Sequence, residues 1–113
     1  GKVEFLLVQG TAIPESLIDL ANIVLPQPVA TESVGTFTNV EKRLQLVSPI
    51  IEPLVEADPV WETLTTLAKI MDRDVLKFGT SGEVFEELSS EIDEYRGYSH
   101  DSLRLMETGP ILN

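Results

Sequence analysis

Three features of the sequence predict an α/β fold: a parallel βαβ unit, then an extended loop with a short strand, then two to three helices. First, residues 3–8 (VEFLLV) and 22–26 (NIVLP) are short apolar runs of strand formers with a short helix-forming stretch between them. Second, from Val60 onward apolar residues recur every three or four positions, the period of a helix with one buried face. Third, residues 34–45 (VGTFTNVEKRLQ) join the two halves and crowd small, polar and ionisable residues together.

The 3–8 run carries one charge, Glu4, and its near-continuous apolar character is that of a strand covered on both faces. Gln9-Gly10-Thr11 breaks it. Pro14 suits the first turn of a helix and Glu15 its positive end, with Leu17, Ile18 and Ala21 inward. Pro26 ends the second strand, because proline removes a ladder donor. Strand, short helix and strand in so short a span predict a parallel pair with a right-handed crossover. Pro28 and residues 30–33 make an extended loop. Residues 43–47 (RLQLV) alternate weakly, as a short strand would, and Ser48-Pro49 ends them.

Asp58 and Pro59 read as N-cap and first residue of a helix whose apolar stripe is Val60, Leu64, Leu67, Ala68 and Met71, ended by Asp72-Arg73-Asp74. Thr80 and Glu83 have capping-box spacing for a second helix. Its inward face is Val84, Phe85, Leu88, Ile92 and Tyr95; the other carries Glu83, Glu86, Glu87, Glu91, Asp93 and Glu94. Gly97 breaks it. Ser99 caps a third, short helix with Leu103 and Met106 inward, and Gly109-Pro110 stops that one.

Length allows one domain at most, or a piece of a larger one: 113 residues bury about two thirds of their unfolded surface. An apolar fraction of 42% and a charged fraction of 24% are globular values. The net charge of -11 repels phosphate backbones and anionic lipid, which excludes nucleic acid as a partner. The absence of cysteine excludes disulfides, thiol nucleophiles and cysteine-held clusters or zinc within this chain. One histidine excludes a site of two imidazoles. No run of eighteen apolar residues occurs, so direct membrane insertion through a helix is not expected, and no basic leader region precedes the first apolar run. A start at Gly1-Lys2 without an initiator Met is expected of a piece of a longer chain.

The residues that could carry chemistry gather around Gly35. Glu32, Thr36, Thr38, Asn39, Glu41 and Arg43 offer carboxylates, hydroxyls, an amide and a guanidinium for a polar ligand. Gly35 permits close backbone approach. The plainer reading, favoured by residue types alone, is a polar hairpin with a surface salt bridge. The carboxylates from Glu83 to Glu94 lack the spacing of a metal loop and read as a solvated helix face. His100 lacks a nucleophilic neighbour and reads as a surface histidine, and Trp61 as packing. Gln9-Gly10-Thr11 lies where a doubly wound sheet places ligands, but a lone glycine there is a weak signal.

Several spaced blocks nevertheless resemble the molybdopterin oxidoreductase superfamily. They are Ala21-Asn22-Ile23-Val24-Leu25-Pro26; Glu32-x-x-Gly35-Thr36-Phe37-Thr38-Asn39-x-Glu41-x-Arg43-x-Gln45; Glu56-Ala57-x-Pro59-x-Trp61; and Leu67-Ala68. The family pattern reads A-D-[VI]-V-L-P, E-x-x-G-T-x-T-N-x-E-G-R-x-Q, then E-A-x-x-x-W-x-[IL]-x-x-L-A. Tyr98 to Leu103 is similar to the segment such proteins carry before their final domain. The resemblance covers nearly the whole chain in order and spacing. Two departures stand out: Asn22 replaces the family Asp, and Lys42 the Gly before the motif arginine. Either is readable as a relaxed demand for close approach to a cofactor.

The resemblance implies a fragment, residues 1–113, of the middle α/β region of a much longer protein. Its first strands would belong to a partial Rossmann-like parallel sheet, and the iron–sulfur segment and C-terminal barrel would lie elsewhere. Active members hold molybdenum or tungsten on two pterin dinucleotides. By position, the resemblance nominates Glu32, Gly35, Thr36, Asn39, Glu41, Arg43 and Gln45 as cofactor-binding, with no catalytic residue and no metal ligand in this stretch. No cofactor is expected in the fragment alone; molybdopterin dinucleotide and iron–sulfur clusters belong to the full-length protein. The two departures tilt the expectation toward the large molybdopterin oxidoreductase-like subunit of NADH–quinone oxidoreductase, contributing to electron transfer from NADH to quinone; the alternative is a formate dehydrogenase in which this region helps hold the pterin. A stand-alone acidic interaction domain is a third reading. The isolated chain is expected to be inactive and cytoplasmic, or peripheral to the inner membrane within a complex. Its expected partners are the rest of its own chain, the other subunits of a redox complex, and copies of itself through an unpaired strand edge.

Overall fold

The computed structural model describes residues 2–53, 55–73 and 75–113. The chain begins with a parallel pair: β1 (Leu7–Gly10), the one-turn helix α1 (Glu15–Ile18) and β2 (Ile23–Pro26), with Leu7 opposite Ile23 and Gly10 opposite Pro26. Gln9 and Gly10, expected to break the first strand, instead belong to it, and Val3 and Phe5 lie outside it and are exposed. Pro14 sits at the N-cap of α1 rather than within its first turn. The strand pair is not covered on both faces. Ile23 and Val24, neighbours that point to opposite faces, are 41% and 42% exposed.

After the 3₁₀ turn Ala30–Glu32 comes an antiparallel hairpin, β3 (Gly35–Thr38) and β4 (Leu44–Val47), with Thr38 opposite Leu44 and Gly35 opposite Val47. Three helices follow: α2 (Val60–Ile70), α3 (Ser81–Glu91) and α4 (His100–Arg104). The capping of α2 differs from expectation. Pro59 is its N-cap, and the Asp58 carbonyl accepts the Gln9 amide at 2.7 Å, tying the end of β1 to the start of α2. Its apolar stripe is largely bare, with Ala68 buried but Leu64 and Met71 exposed. The expected stop residue Asp74 lies outside the described residues.

Thr80 caps α3 by accepting the Glu83 amide, whose carboxylate in turn accepts the Gly79 amide at 2.6 Å. Ser99 and Ser102 form a reciprocal capping box on α4. These two helices lay Phe85 and Leu103 on the face of the hairpin that carries Leu44 and Leu46, and Leu112 closes the cluster. Met106, expected inward, is exposed, as are Leu88 and Ile92.

The whole chain exposes 8640 Å², against about 6,200 Å² for a compact chain of this mass. Its radius of gyration is 16.4 Å, where about 13 Å is usual for this length. Large exposed apolar residues of the βαβ unit and α2, such as Leu20, Ile23, Leu64 and Ile70, contribute to the exposed area. Among the described residues no helix is long and apolar enough to cross a membrane.

Candidate functional site

The hairpin carries the nominated residues, and its pleat sorts them. Alternate residues of a strand point to opposite faces. Thr36 shares the face of Leu44 and Leu46 and so belongs to the core side. Gly35 and Gln45 share the other face with Phe37, whose ring is 49% exposed directly opposite Gln45. A Cβ at Gly35 would meet only the Phe37 ring, at 3.9 Å, so the backbone there is open to approach.

The turn explains three further positions. The Asn39 carbonyl accepts the Lys42 amide, and the Asn39 side-chain oxygen accepts the amides of Glu41 and Arg43, both at 2.9 Å. Lys42 takes φ 60°, the left-handed region that closes a three-residue hairpin loop of this kind. A glycine is the easy residue at such a position, because a Cβ there costs about 1–2 kcal/mol. Lys42 thus sits in a conformation that a glycine adopts more easily, which gives this departure a local account in the turn. Asn22 has a similar account: its side-chain oxygen accepts the Leu6 amide at 2.7 Å, an acceptor role that an aspartate fills equally well.

Two charged candidates are engaged inside the fold. Glu32 accepts the Val29 amide at 2.9 Å, capping the 3₁₀ turn. Arg43 is half-buried, and its Nη1 donates to the Gly109 carbonyl at 2.8 Å rather than to a neighbouring carboxylate. Glu41 is exposed at the loop tip. The seven nominated residues thus form no single ring of ligands.

A largely apolar cleft of about 430 Å³ borders the hairpin at Phe37. It lies beyond the carboxyl ends of β1 and β2, the usual ligand edge of a parallel sheet. Thr11, Gln27, Val29, Phe37, Pro59 and Trp61 line it, so α2 begins on one wall and the hairpin's Phe37 forms the other. Trp61 reads as packing in the sequence, and Phe37 falls at a position that the family pattern leaves open. Among the described residues no cluster of three metal-ligating side chains occurs.

His100, expected at the surface, is half-buried. It stacks on Phe85 with ring centroids 5.7 Å apart, and its Nε2 is buried without a hydrogen-bond partner. Burial holds its pKa below the usual imidazole value, with Arg104 adding to the effect and Asp101 and Glu86 opposing it.

A profile of molybdopterin oxidoreductases matches residues 3–70, which span both strand pairs and α2. The chain belongs to the molybdopterin oxidoreductase family. Among curated relatives of this family, it is 33% identical over 104 residues to the alpha subunit of an F420-dependent formate dehydrogenase of Methanocaldococcus jannaschii, covering 91% of this chain and 15% of the relative. It is also 33% identical over 102 residues to the alpha subunit of F420-dependent formate dehydrogenase 2 of Methanococcus maripaludis, covering 89% and 15%. The chain spans 10% to 15% of the length of the curated relatives it matches.

The family is that of molybdopterin oxidoreductases, and the hairpin face turned away from the core has groups chemically suited to a heterocyclic, polar cofactor. Gly35 offers an open backbone, Phe37 an exposed ring on which a heterocycle can stack, and Gln45 an exposed carboxamide on the same face. The other walls of such a pocket are not formed by the described residues.

Proposed function

We propose that this chain is a segment of the middle α/β region of a molybdenum- or tungsten-dependent oxidoreductase of the formate dehydrogenase type, where its hairpin helps to hold the pterin dinucleotide. The observation that carries this reading is the similarity to formate dehydrogenase alpha subunits, beside two departures from the family pattern that each have a local backbone account. Those departures are the reason to favour the large subunit of NADH–quinone oxidoreductase. Asn22 accepts a backbone amide as an aspartate could, and Lys42 takes a turn position that a glycine favours, so neither departure argues for that subunit.

Within this reading Gly35, Phe37 and Gln45 face the pterin, while Glu32, Asn39 and Arg43 shape the hairpin that presents them. The group supplies the redox-active metal centre; this chain supplies orientation and one apolar boundary. The large excess of exposed surface supports a segment over a self-contained acidic domain, because a stand-alone chain would cover its strand pair. The remaining length of the polypeptide provides that cover, along with the iron–sulfur segment and terminal barrel. The partners are the other subunits of a cytoplasmic redox complex, as the relatives named alpha subunits suggest.

The test uses the complete polypeptide that contains these residues, purified without oxygen. Pterin released by oxidation, metal content and formate-dependent dye reduction are measured. The expected result is pterin with molybdenum or tungsten and reduction of dye by formate. Iron–sulfur clusters with neither pterin nor either metal would overturn the proposal in favour of the NADH–quinone oxidoreductase subunit.

A further inference from the structure

The motif arginine has a role that its usual reading as a ligand group hides. Residues 109–112 run antiparallel beside the start of β4 and are fixed to it by three hydrogen bonds. Arg43 Nη1 donates to the Gly109 carbonyl at 2.8 Å, the Leu44 amide to the Pro110 carbonyl at 2.9 Å, and the Leu112 amide to the Lys42 carbonyl at 2.8 Å; Arg43 and Ile111 form an isolated bridge. Gly109 lies so close that a Cβ would stand 1.6 Å from the Leu44 carbonyl oxygen. The left-handed turn at Lys42 precedes this junction directly, and Leu44 and Leu112 are buried in the same cluster. Leu44 is the least exposed residue of that cluster, at 1%, and Gln45 beside it is on the opposite face of the hairpin.

We infer that Arg43 is a positioning residue: it clasps the 109–112 segment onto the hairpin, and through that clasp it fixes the register in which Gly35, Phe37 and Gln45 are presented to the cofactor. The inference rests on the proposed function for its cofactor half alone. The clasp itself stands on the geometry of this chain. A charged donor on a half-buried carbonyl is worth more than a neutral hydrogen bond, and its removal leaves that carbonyl to find water at a packed junction.

The experiment compares wild type, Arg43→Ala, Arg43→Lys and Gln45→Ala in the complete polypeptide, reading amide exchange at Leu44 and Leu112 and pterin retained per chain. In Arg43→Ala, exchange at both amides is expected to rise about tenfold or more, and pterin retention to fall. Arg43→Lys keeps one cationic donor and is expected to restore both in part. Gln45→Ala is expected to lower pterin retention with exchange at Leu44 and Leu112 unchanged. Loss of pterin in Arg43→Ala without faster exchange would make the arginine a direct ligand and overturn the inference. Faster exchange with full pterin retention would make it merely structural and overturn it as well. Should Arg43→Ala fail to fold, Arg43→Lys is judged by the same pair of readings. A wild type without pterin would overturn the proposed function and the cofactor half with it, and the exchange at Leu44 and Leu112 would still decide the clasp.

Discussion

The two strand pairs of this chain are built from similar residues and end in opposite states. The parallel pair β1–β2 has no buried residue in either strand or in α1. The antiparallel pair β3–β4 contains Leu44 at 1% exposure and, with Phe85, Leu103 and Leu112, closes a core of its own. The difference is one of connection. A hairpin pairs across a short loop, and the helices that follow fold back on one of its faces. A parallel pair needs cover on both faces, and α1, a single turn, supplies almost none. Apolar composition alone does not make a core; the chain must also carry something to place on it.

This contrast can be broken most directly by equal truncations. Leu44→Ala in the isolated chain is expected to cost about 2–5 kcal/mol, whereas Ile23→Ala should cost less than about 1 kcal/mol because much of its side chain is already in water. Urea midpoints followed by circular dichroism check both; equal costs would erase the distinction between the two regions. Gly109→Ala should cost about 3 kcal/mol, since the new methyl must displace the Leu44 carbonyl or the terminal segment. The same melts measure it, and a neutral result would mean that the two backbones are not in contact.

Smaller changes sharpen the comparison within the compact half. Thr80→Ala removes the cap of α3 and should cost about 1 kcal/mol. Lys42→Gly should stabilise by about 0.5–1 kcal/mol, the relief of a left-handed side chain less the entropy a glycine adds to the unfolded state. The smallest effect is titration of His100, whose folded-state pKa is lowered by burial. The unfolded chain takes up that proton first, so stability is full above pH of about 6.5 and declines as pH falls from there toward the lower folded-state value. His100→Phe should flatten that part of a stability profile between pH of about 5 and 7.5, and an unchanged slope would place the titration elsewhere.

Much of the fold is legible in the sequence because local patterns decide it. The periodicity after Val60 and Val84 specifies two helices, and Thr80 and Ser99 mark helix starts as capping chemistry requires. The strands are displaced by up to four residues, because an apolar run does not say which of its residues find a partner: Val3 and Phe5 find none, while Gln9 and Gly10 do. The candidate site is legible as a motif but not as a surface. Parity about Leu44 sends Thr36 to the core and Gly35 and Gln45 away from it, and that parity depends on a register no single strand reveals. The burial of His100 is hidden from its local sequence because its cover, Phe85, lies fifteen positions away on another helix.

Gly109 carries a lesson for anyone comparing sequences of this family. A position that admits no side chain will resist replacement as stubbornly as a position that performs chemistry, and an alignment displays both as the same invariant letter. Its intolerance would come from the carbonyl of Leu44 pressing on an α-carbon. Invariance at such a site measures how near two stretches of main chain must pass, and a mutational scan that separates abundance from turnover would tell it apart from a residue that touches the reacting group.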